Sequence, residues 1–327
     1  MDSKSKKGKK GKKGKGGKGK KGKKDKDPTA NRTMESLEDE LIQYGILTVP
    51  PKQRFDEIIG NHQLLETNIK YTDPDQPIHT ACLPSCINDL KNLLALYGTM
   101  PLFHKDIIEN VQGRIRSILL CGPQGCGKKS LAYAIAHESQ SIFFDLSPDN
   151  LVGKYTGKGG TAMLLHMVFK VAKFYQPAVI FMNNADTMSY KKVPKELAYL
   201  EPKRLKKDWP KIIKKFPNSE QILVVGTSSN PIPCDVKGVG KIWDKILLVP
   251  MPDYGARILL WENAVKILLS KMEDPINMLE NGHRDLATLS RLSEGYTTGQ
   301  IWIIAKDTLR GAHFLSILYI PGWIRVI

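Results

Sequence analysis

Five short apolar runs punctuate the middle of the chain: Ser117-Ile-Leu-Leu-Cys121, Ser141-Ile-Phe-Phe-Asp-Leu146, Ala178-Val-Ile-Phe-Met182, Gln221-Ile-Leu-Val-Val-Gly226 and Lys245-Ile-Leu-Leu-Val249. Continuous runs of this length, rich in β-branched residues and separated by helical segments, read as strands of a parallel sheet covered on both faces. Ser130-Leu-Ala-Tyr-Ala-Ile-Ala136 and residues 161–175 supply the helices between them. From Ala256 onward the periodicity is helical: Ile258–Trp261 and Val265–Leu269, then Leu286–Leu292, then Gln300–Leu309. Upstream, residues 34–54 predict a short amphipathic helix and a linker containing Val49-Pro-Pro-Lys52, and helical patterns recur at 86–98 and 101–111. Asp73-Pro-Asp-Gln-Pro77 marks a loop. The fold class is therefore α/β, a parallel sheet with helices on both faces and a small helical lid behind it.

The junction of the first central strand and its helix carries the candidate chemistry. Gly122-Pro123-Gln124-Gly125-Cys126-Gly127-Lys128 stands between them, the strand, glycine loop and helix order of a phosphate-binding P-loop. Glycines let consecutive N–H groups converge on phosphate oxygens, the helix N-terminus adds its positive dipole end, and Lys128 reaches the terminal phosphates. The pattern then fails by one residue. It asks for Ser or Thr next, whose hydroxyl ligates Mg²⁺, and the chain has Lys129. Ser130 does not replace it, because one helical step turns a side chain by about 100°. ATP or ADP is the expected ligand, and Mg²⁺ has lost a ligand.

Charge adds two local features to this picture. Of the net +16, residues 1–27 carry +11 and residues 191–215 carry +7, leaving −2 for the rest. The Lys/Gly tract from Lys4 to Lys26, within a tail at residues 1–33, has nothing apolar to bury and is expected to be disordered. It lacks the interleaved aromatics and arginines of nucleic-acid readers, so a nonspecific acidic surface is favoured as its partner and nucleic acid disfavoured. In the second segment Trp209, Ile212, Ile213 and Phe216 form an apolar stripe, with Lys203, Arg204, Lys206, Lys207, Lys211, Lys214 and Lys215 as a candidate partner-binding face. A solvated face is the plainer alternative.

Five cysteines without a signal-peptide pattern point to a reducing, cytoplasmic compartment. Cys82 and Cys86 are spaced like half a zinc site, but no second pair follows. No stretch approaches the roughly 20 apolar residues of a membrane span, and His166 reads as a core or interface histidine.

The order of these motifs resembles an AAA ATPase module over residues 55–310. Phe55-Asp-Glu-Ile-Ile-Gly60 resembles the entry motif of that family, and Leu151-Val-Gly-Lys-Tyr155-Thr-Gly157 its pore loop. Pro177-Ala-Val-Ile-Phe-Met-Asn-Asn-Ala-Asp186 resembles Walker B, Ile222–Pro231 the sensor-1 strand, and Gly295-Tyr-Thr-Thr-Gly-Gln-Ile301 the lid signature. The departures fall on chemistry. Asn183 and Asn184 replace the Asp-Glu pair that supports Mg²⁺ and activates water. Ser229 stands where the family has Asn, and Gly240-Lys-Ile-Trp-Asp-Lys245 lacks the arginine finger. The resemblance thus implies intact phosphate cradling and little or no hydrolysis. Tyr155 stands where the family grips a threaded polypeptide; the alternative is an aromatic packed at a loop base.

A Lys/Gly tract ahead of the module, a loop ending in Gly-Lys-Lys and a depleted Walker B are similar to the IQ and AAA domain-containing proteins. That resemblance implies a subunit of the nexin–dynein regulatory complex in the cilium or flagellum axoneme, with complex subunits and the acidic tubulin tails of the microtubule doublet as partners. No IQ motif is present, so calmodulin is not carried over. The implied layout is a tail at 1–33, a linker at 34–54, the nucleotide-binding domain at 55–253, a lid at 254–310, shortened relative to the family, and a divergent apolar segment at 311–327. Two other readings stay open: a working or slow ATPase that remodels a protein partner, and a nucleic-acid-associated AAA protein.

Overall fold

A computed structural model describes residues 29, 31–60, 87–103, 115–157, 159–215, 219–270 and 282–317. The lysine tract, the Asp73–Pro77 loop, Cys82, Cys86, Phe216 and the last ten residues lie outside them.

Helix α1, Met34–Gln43, starts where the Thr33 hydroxyl accepts from the Ser36 N–H, a side-chain cap on one of the orphan first-turn donors. Its Leu37 and Leu41 are fully buried. The chain then turns through Gly45 into β1, Leu47–Thr48, which pairs antiparallel with β3, Ile142–Asp145. This two-residue edge strand lies inside the stretch read as a linker and had no periodicity to reveal it. Beyond it come a 3₁₀ turn at Phe55–Glu57, helix α2 at Ile87–Leu94, a π-helical turn at Ala95–Thr99 and helix α3 at Met100–Phe103.

The sheet reads β1-β3-β4-β5-β2-β6, with β2 at Ser117–Cys121, β4 at Ala178–Met182, β5 at Ile222–Ser228 and β6 at Lys245–Leu248. Every pairing except that of β1 is parallel. The four inner strands bury both faces, as their unbroken apolar runs require. One face is covered by α1 and by α6, Gly160–Phe174, where Phe144, Leu165, Val168, Ile180 and Val224 meet. The other is covered by α2 and by α4, Lys128–Glu138, where Leu120, Ile135, Phe143, Phe181 and Val225 meet. Helix α5, Pro148–Leu151, follows β3.

The basic segment is bolted to the first face by its apolar side chains. Trp209 and Ile213, on α7 at Trp209–Lys215, and Leu205 just before it are all buried in that cluster. After α8, Val236–Ile242, and β6, the lid comprises α9 at Tyr254–Leu269, α10 at Gly282–Leu292 and α11 at Thr298–Ile317. Asp253 caps α9 by accepting from the Ala256 N–H at 2.7 Å. The buried Arg257 joins two elements: it donates to the Pro252 carbonyl and, through Nε, to the Ser290 carbonyl of α10. Helix α11 continues to Ile317, past the point where the sequence pattern gives out near Leu309. Among the described residues no helix is long and apolar enough to cross a membrane.

Candidate functional site

The glycine loop occupies the end of β2, and its glycines are demanded by what surrounds it. A Cβ on Gly122 would lie 2.5 Å from the Val249 carbonyl oxygen. Gly125 has φ +88°, and a Cβ there would meet the Thr297 hydroxyl at 2.6 Å. Both positions are therefore closed to any side chain, one by close approach and the other by close approach plus a left-handed backbone. Gly127, at φ +85°, then launches α4.

Lys128 is buried at the first position of α4. Its ammonium donates to the carbonyls of Gly122 and Pro123, each at 2.7 Å. Burial lowers its pKa, while the neighbouring Cys126 and Asp186 oppose that shift. Gln124 and Lys129 are exposed, Pro123 and Ser130 half-buried, and Cys126 buried with its thiol pKa raised by burial. The strand-to-helix junction is thus where the sequence placed it.

The lid reaches this loop directly, which sequence reading missed. The Gly299 N–H, in the first turn of α11, donates to the Gly125 carbonyl at 2.9 Å. Thr297 and Gln300 hold that turn reciprocally: the Thr297 N–H donates to Gln300 Oε1 at 2.8 Å, and the Gln300 N–H donates to the Thr297 hydroxyl at 3.4 Å. This is a capping box, and Thr297-x-x-Gln300 was its legible signal. Two helix N-termini, those of α4 and α11, therefore meet at one loop.

The end of β4 carries the two asparagines. Asn183 Oδ1 accepts from the Thr227 hydroxyl at 2.8 Å, and its N–H donates to Ser147 Oγ at 3.0 Å. Asn184 sits at φ 49°, ψ 43°, and its N–H donates to Thr227 Oγ1 at 3.2 Å. Left-handed backbone favours Asn among side-chain-bearing residues. Thr227, on β5, thus ties both asparagines to the neighbouring strand, while Ser229 is exposed beyond that strand and bonds neither. Two residues on, Asp186 is buried. Its Oδ2 accepts from the Tyr190 hydroxyl at 3.0 Å. Desolvation raises its pKa, against hydrogen bonds from the Tyr190 and Ser228 hydroxyls and from the Asn230 backbone. Cys234 donates to the Asp186 carbonyl, and burial pushes its thiol up to about 11.

The donor set does not fit a divalent cation. The position of the hydroxyl ligand is Lys129, the carboxylate positions are the neutral Asn183 and Asn184, and the buried Asp186 is engaged by Tyr190. Hard cations of the Mg²⁺ type take anionic oxygen ligands. Among the described residues, no group of three His, Cys, Asp or Glu side chains could hold a metal.

Tyr155 is turned onto its own chain. Its hydroxyl donates to Glu40 Oε1 of α1 at 2.6 Å, and its ring lies 5.1 Å from that of Tyr44. Arg204 completes the fastening, donating to the carbonyls of Leu151 (3.3 Å), Lys154 and Tyr155 (2.7 Å). Arg204 therefore departs from the lysines grouped with it, since its guanidinium faces the loop. Lys203, Lys207 and Lys211 are exposed and Lys206 half-buried, with Lys211 paired to Asp208 at 3.2 Å. Lys214 and Lys215 lie on α7, and their side chains and that of Ile212 are outside the described ones. His166 is half-buried on α6. The cleft of about 820 Å³ lined by Phe55, Lys91, Phe103, His137 and Glu138 lies at the far end of α4 from the glycine loop.

Residues 118–241 match the model of the ATPase family associated with various cellular activities (AAA). Dynein regulatory complex protein 11 of Mus musculus is 35% identical over 284 residues, 85% of this chain and 31% of that protein. Spastin of Xenopus tropicalis is 32% identical over 216 residues, 65% of this chain and 33% of that protein. The chain thus spans about a third of the length of these relatives. A crystal structure of the FIGL-1 AAA domain in complex with ADP superposes with a TM-score of 0.60, at 19% identity and covering 87% of this chain and 82% of that one. That sheet order, the glycine loop at its centre and the lid folded back upon it have one common source: the chain belongs to the AAA family of ATPases.

Proposed function

We propose that this chain binds ATP or ADP without hydrolysing it at a useful rate, and serves as a structural and regulatory subunit of the ciliary axoneme. The observation that carries the reading is the contrast at the ends of two strands of one sheet. The loop after β2 keeps the glycines and the helix start on which a phosphate cradle is built. The end of β4 offers carboxamides where water would have to be activated, and one of them is bonded to Thr227. A carboxamide takes no proton at neutral pH, and loss of a general base alone typically costs about 10²–10⁴ in rate.

Nucleotide binding is supported by the AAA domain and by the two helix N-termini at the loop, which favour anions. The axonemal assignment draws support from the name of the mouse dynein regulatory complex relative and from the exposed lysines beside α7, which suit acidic tubulin tails.

Two measurements test the reading. In a single-turnover assay with Mg²⁺ and limiting ATP, phosphate release should stay at the uncatalysed background; a burst that disappears in Lys128→Ala would make the chain a working ATPase. Sedimentation with microtubules and with DNA at matched salt should show microtubules preferred, with binding weakened when residues 1–27 are deleted. Equal retention by DNA would move the assignment to nucleic acid.

A further inference from the structure

The misfit of the site to a divalent cation has a consequence for what it binds. A nucleoside polyphosphate brings three or four negative charges, and Mg²⁺ ordinarily offsets two of them by bridging phosphate oxygens. In this chain the sequence position that supplies the metal's hydroxyl ligand carries a cation, Lys129. Lys129 is exposed one residue beyond Lys128, in the first turn of α4, on the helix end where backbone dipoles already favour anions. Lys128 is engaged by the loop carbonyls, so two lysines follow one another in the first turn of α4. At and beyond the end of β4 stand Asn183, its oxygen accepting from Thr227, Asn184, and an Asp186 that is hydrogen-bonded by Tyr190. None of these presents a free carboxylate to a metal.

We propose that the site takes its nucleotide as the metal-free polyphosphate, with Lys129 supplying the charge that Mg²⁺ supplies elsewhere. This rests on the nucleotide-binding reading above. It follows that Mg²⁺ is a competitor: it sequesters the same phosphate oxygens that Lys129 would contact, and it brings a second cation to a site with no anionic ligand for it. Divalent cation should therefore leave affinity unchanged or weaken it.

The test is calorimetric titration of the full chain with ATP and with ADP, in EDTA and in excess Mg²⁺. The wild type should bind at least as tightly in EDTA. Lys129→Thr, which restores a hydroxyl at an exposed position and should leave the melting temperature alone, should lose about tenfold or more in EDTA, as expected for removal of one charge-assisted contact, and should recover part of that loss in Mg²⁺. Wild-type affinity tenfold or more tighter with Mg²⁺ would overturn the inference while leaving nucleotide binding intact. So would a Lys129→Thr variant that binds like the wild type in EDTA. No binding in either buffer would instead remove the nucleotide reading itself, and this inference with it.

Discussion

The glycine loop and the end of β4 are ends of parallel strands in one sheet, separated by β5 alone, and they have been treated in opposite ways. At the loop every demand is steric. The Val249 carbonyl and the Thr297 hydroxyl leave no room for a Cβ at Gly122 and Gly125, and Gly127 keeps a left-handed backbone that favours glycine, so the geometry survives whether or not phosphate is turned over. At the end of β4 the demand in a working enzyme is for charge, which folding does not require and which burial makes costly. Neutral side chains there find partners easily: Asn183 bonds Thr227, and Asn184 relaxes into a backbone conformation in which a glutamate would store about 1–2 kcal/mol. The fold enforces the cradle and leaves the catalytic carboxylates to selection on function.

The sharpest way to break this comparison is to put the charge back. Asn183→Asp with Asn184→Glu should leave single-turnover hydrolysis at background, because Lys129 still stands where the metal's hydroxyl ligand belongs. Adding Lys129→Thr should raise the rate by about 10² or more, the scale of a recovered general base. If the double variant alone gains that factor, the deficit lies in the carboxylates and the lysine is incidental. Next in size, Lys128→Ala should weaken ATP by about 10–100-fold in titration, one charge-assisted contact, whereas Asn183→Ala should change affinity by less than about threefold. Similar losses for both would erase the distinction between cradle and catalytic end.

What was legible in the sequence divides along the same line. The five apolar runs and the glycine loop could be read because burial on both faces and left-handed turns leave few choices of residue. The asparagines could be read by resemblance, since the substitutions are plain. Thr227 could not, because a threonine in a buried strand looks like any β-branched residue until its hydroxyl is seen between Asn183 and Asn184. Nor could β1, whose two residues are too few for a period, or the Tyr155 contact with Glu40 and Tyr44, which joins residues far apart in the chain. Arg204 was grouped with its lysine neighbours by charge alone, and only the carbonyls of Leu151 and Tyr155 give it a different task. The Thr297–Gln300 capping box was legible and was passed over.

Thr227 gives the third prediction. Thr227→Val preserves the shape of β5 but removes the donor to Asn183 and the acceptor for the Asn184 N–H, leaving two polar groups to find other partners. A cost of about 1–3 kcal/mol is expected in chemical denaturation, against nearly none for Ser229→Ala, since Ser229 is exposed and bonds neither asparagine. Equal effects would mean that the end of β4 is not held through β5.

The smallest expected effect concerns the carboxylate that remains. Asp186 is buried, with Tyr190 on one oxygen, and Cys121, Cys234 and Lys128 are the other titratable groups that act on or sense it. Burial raises its pKa, so between the ordinary aspartate value and the raised folded value the native state binds more protons than the unfolded chain. By linkage, wild-type stability falls as pH rises through that window, and the deficit is then carried to neutral pH. Asp186→Asn removes the titration and keeps an acceptor for the Tyr190 hydroxyl. The variant should match the wild type in acid, where both are neutral, and exceed it by about 1 kcal/mol at pH 7, measured as the difference between the two denaturation midpoints across pH. A variant that loses stability relative to the wild type as pH rises would show instead that the charge on Asp186 is stabilised, with Lys128 as the cation near enough to do it. The end of β4 would then have kept one working electrostatic contact with the loop, and the division between the two strand ends would be less complete than the asparagines imply.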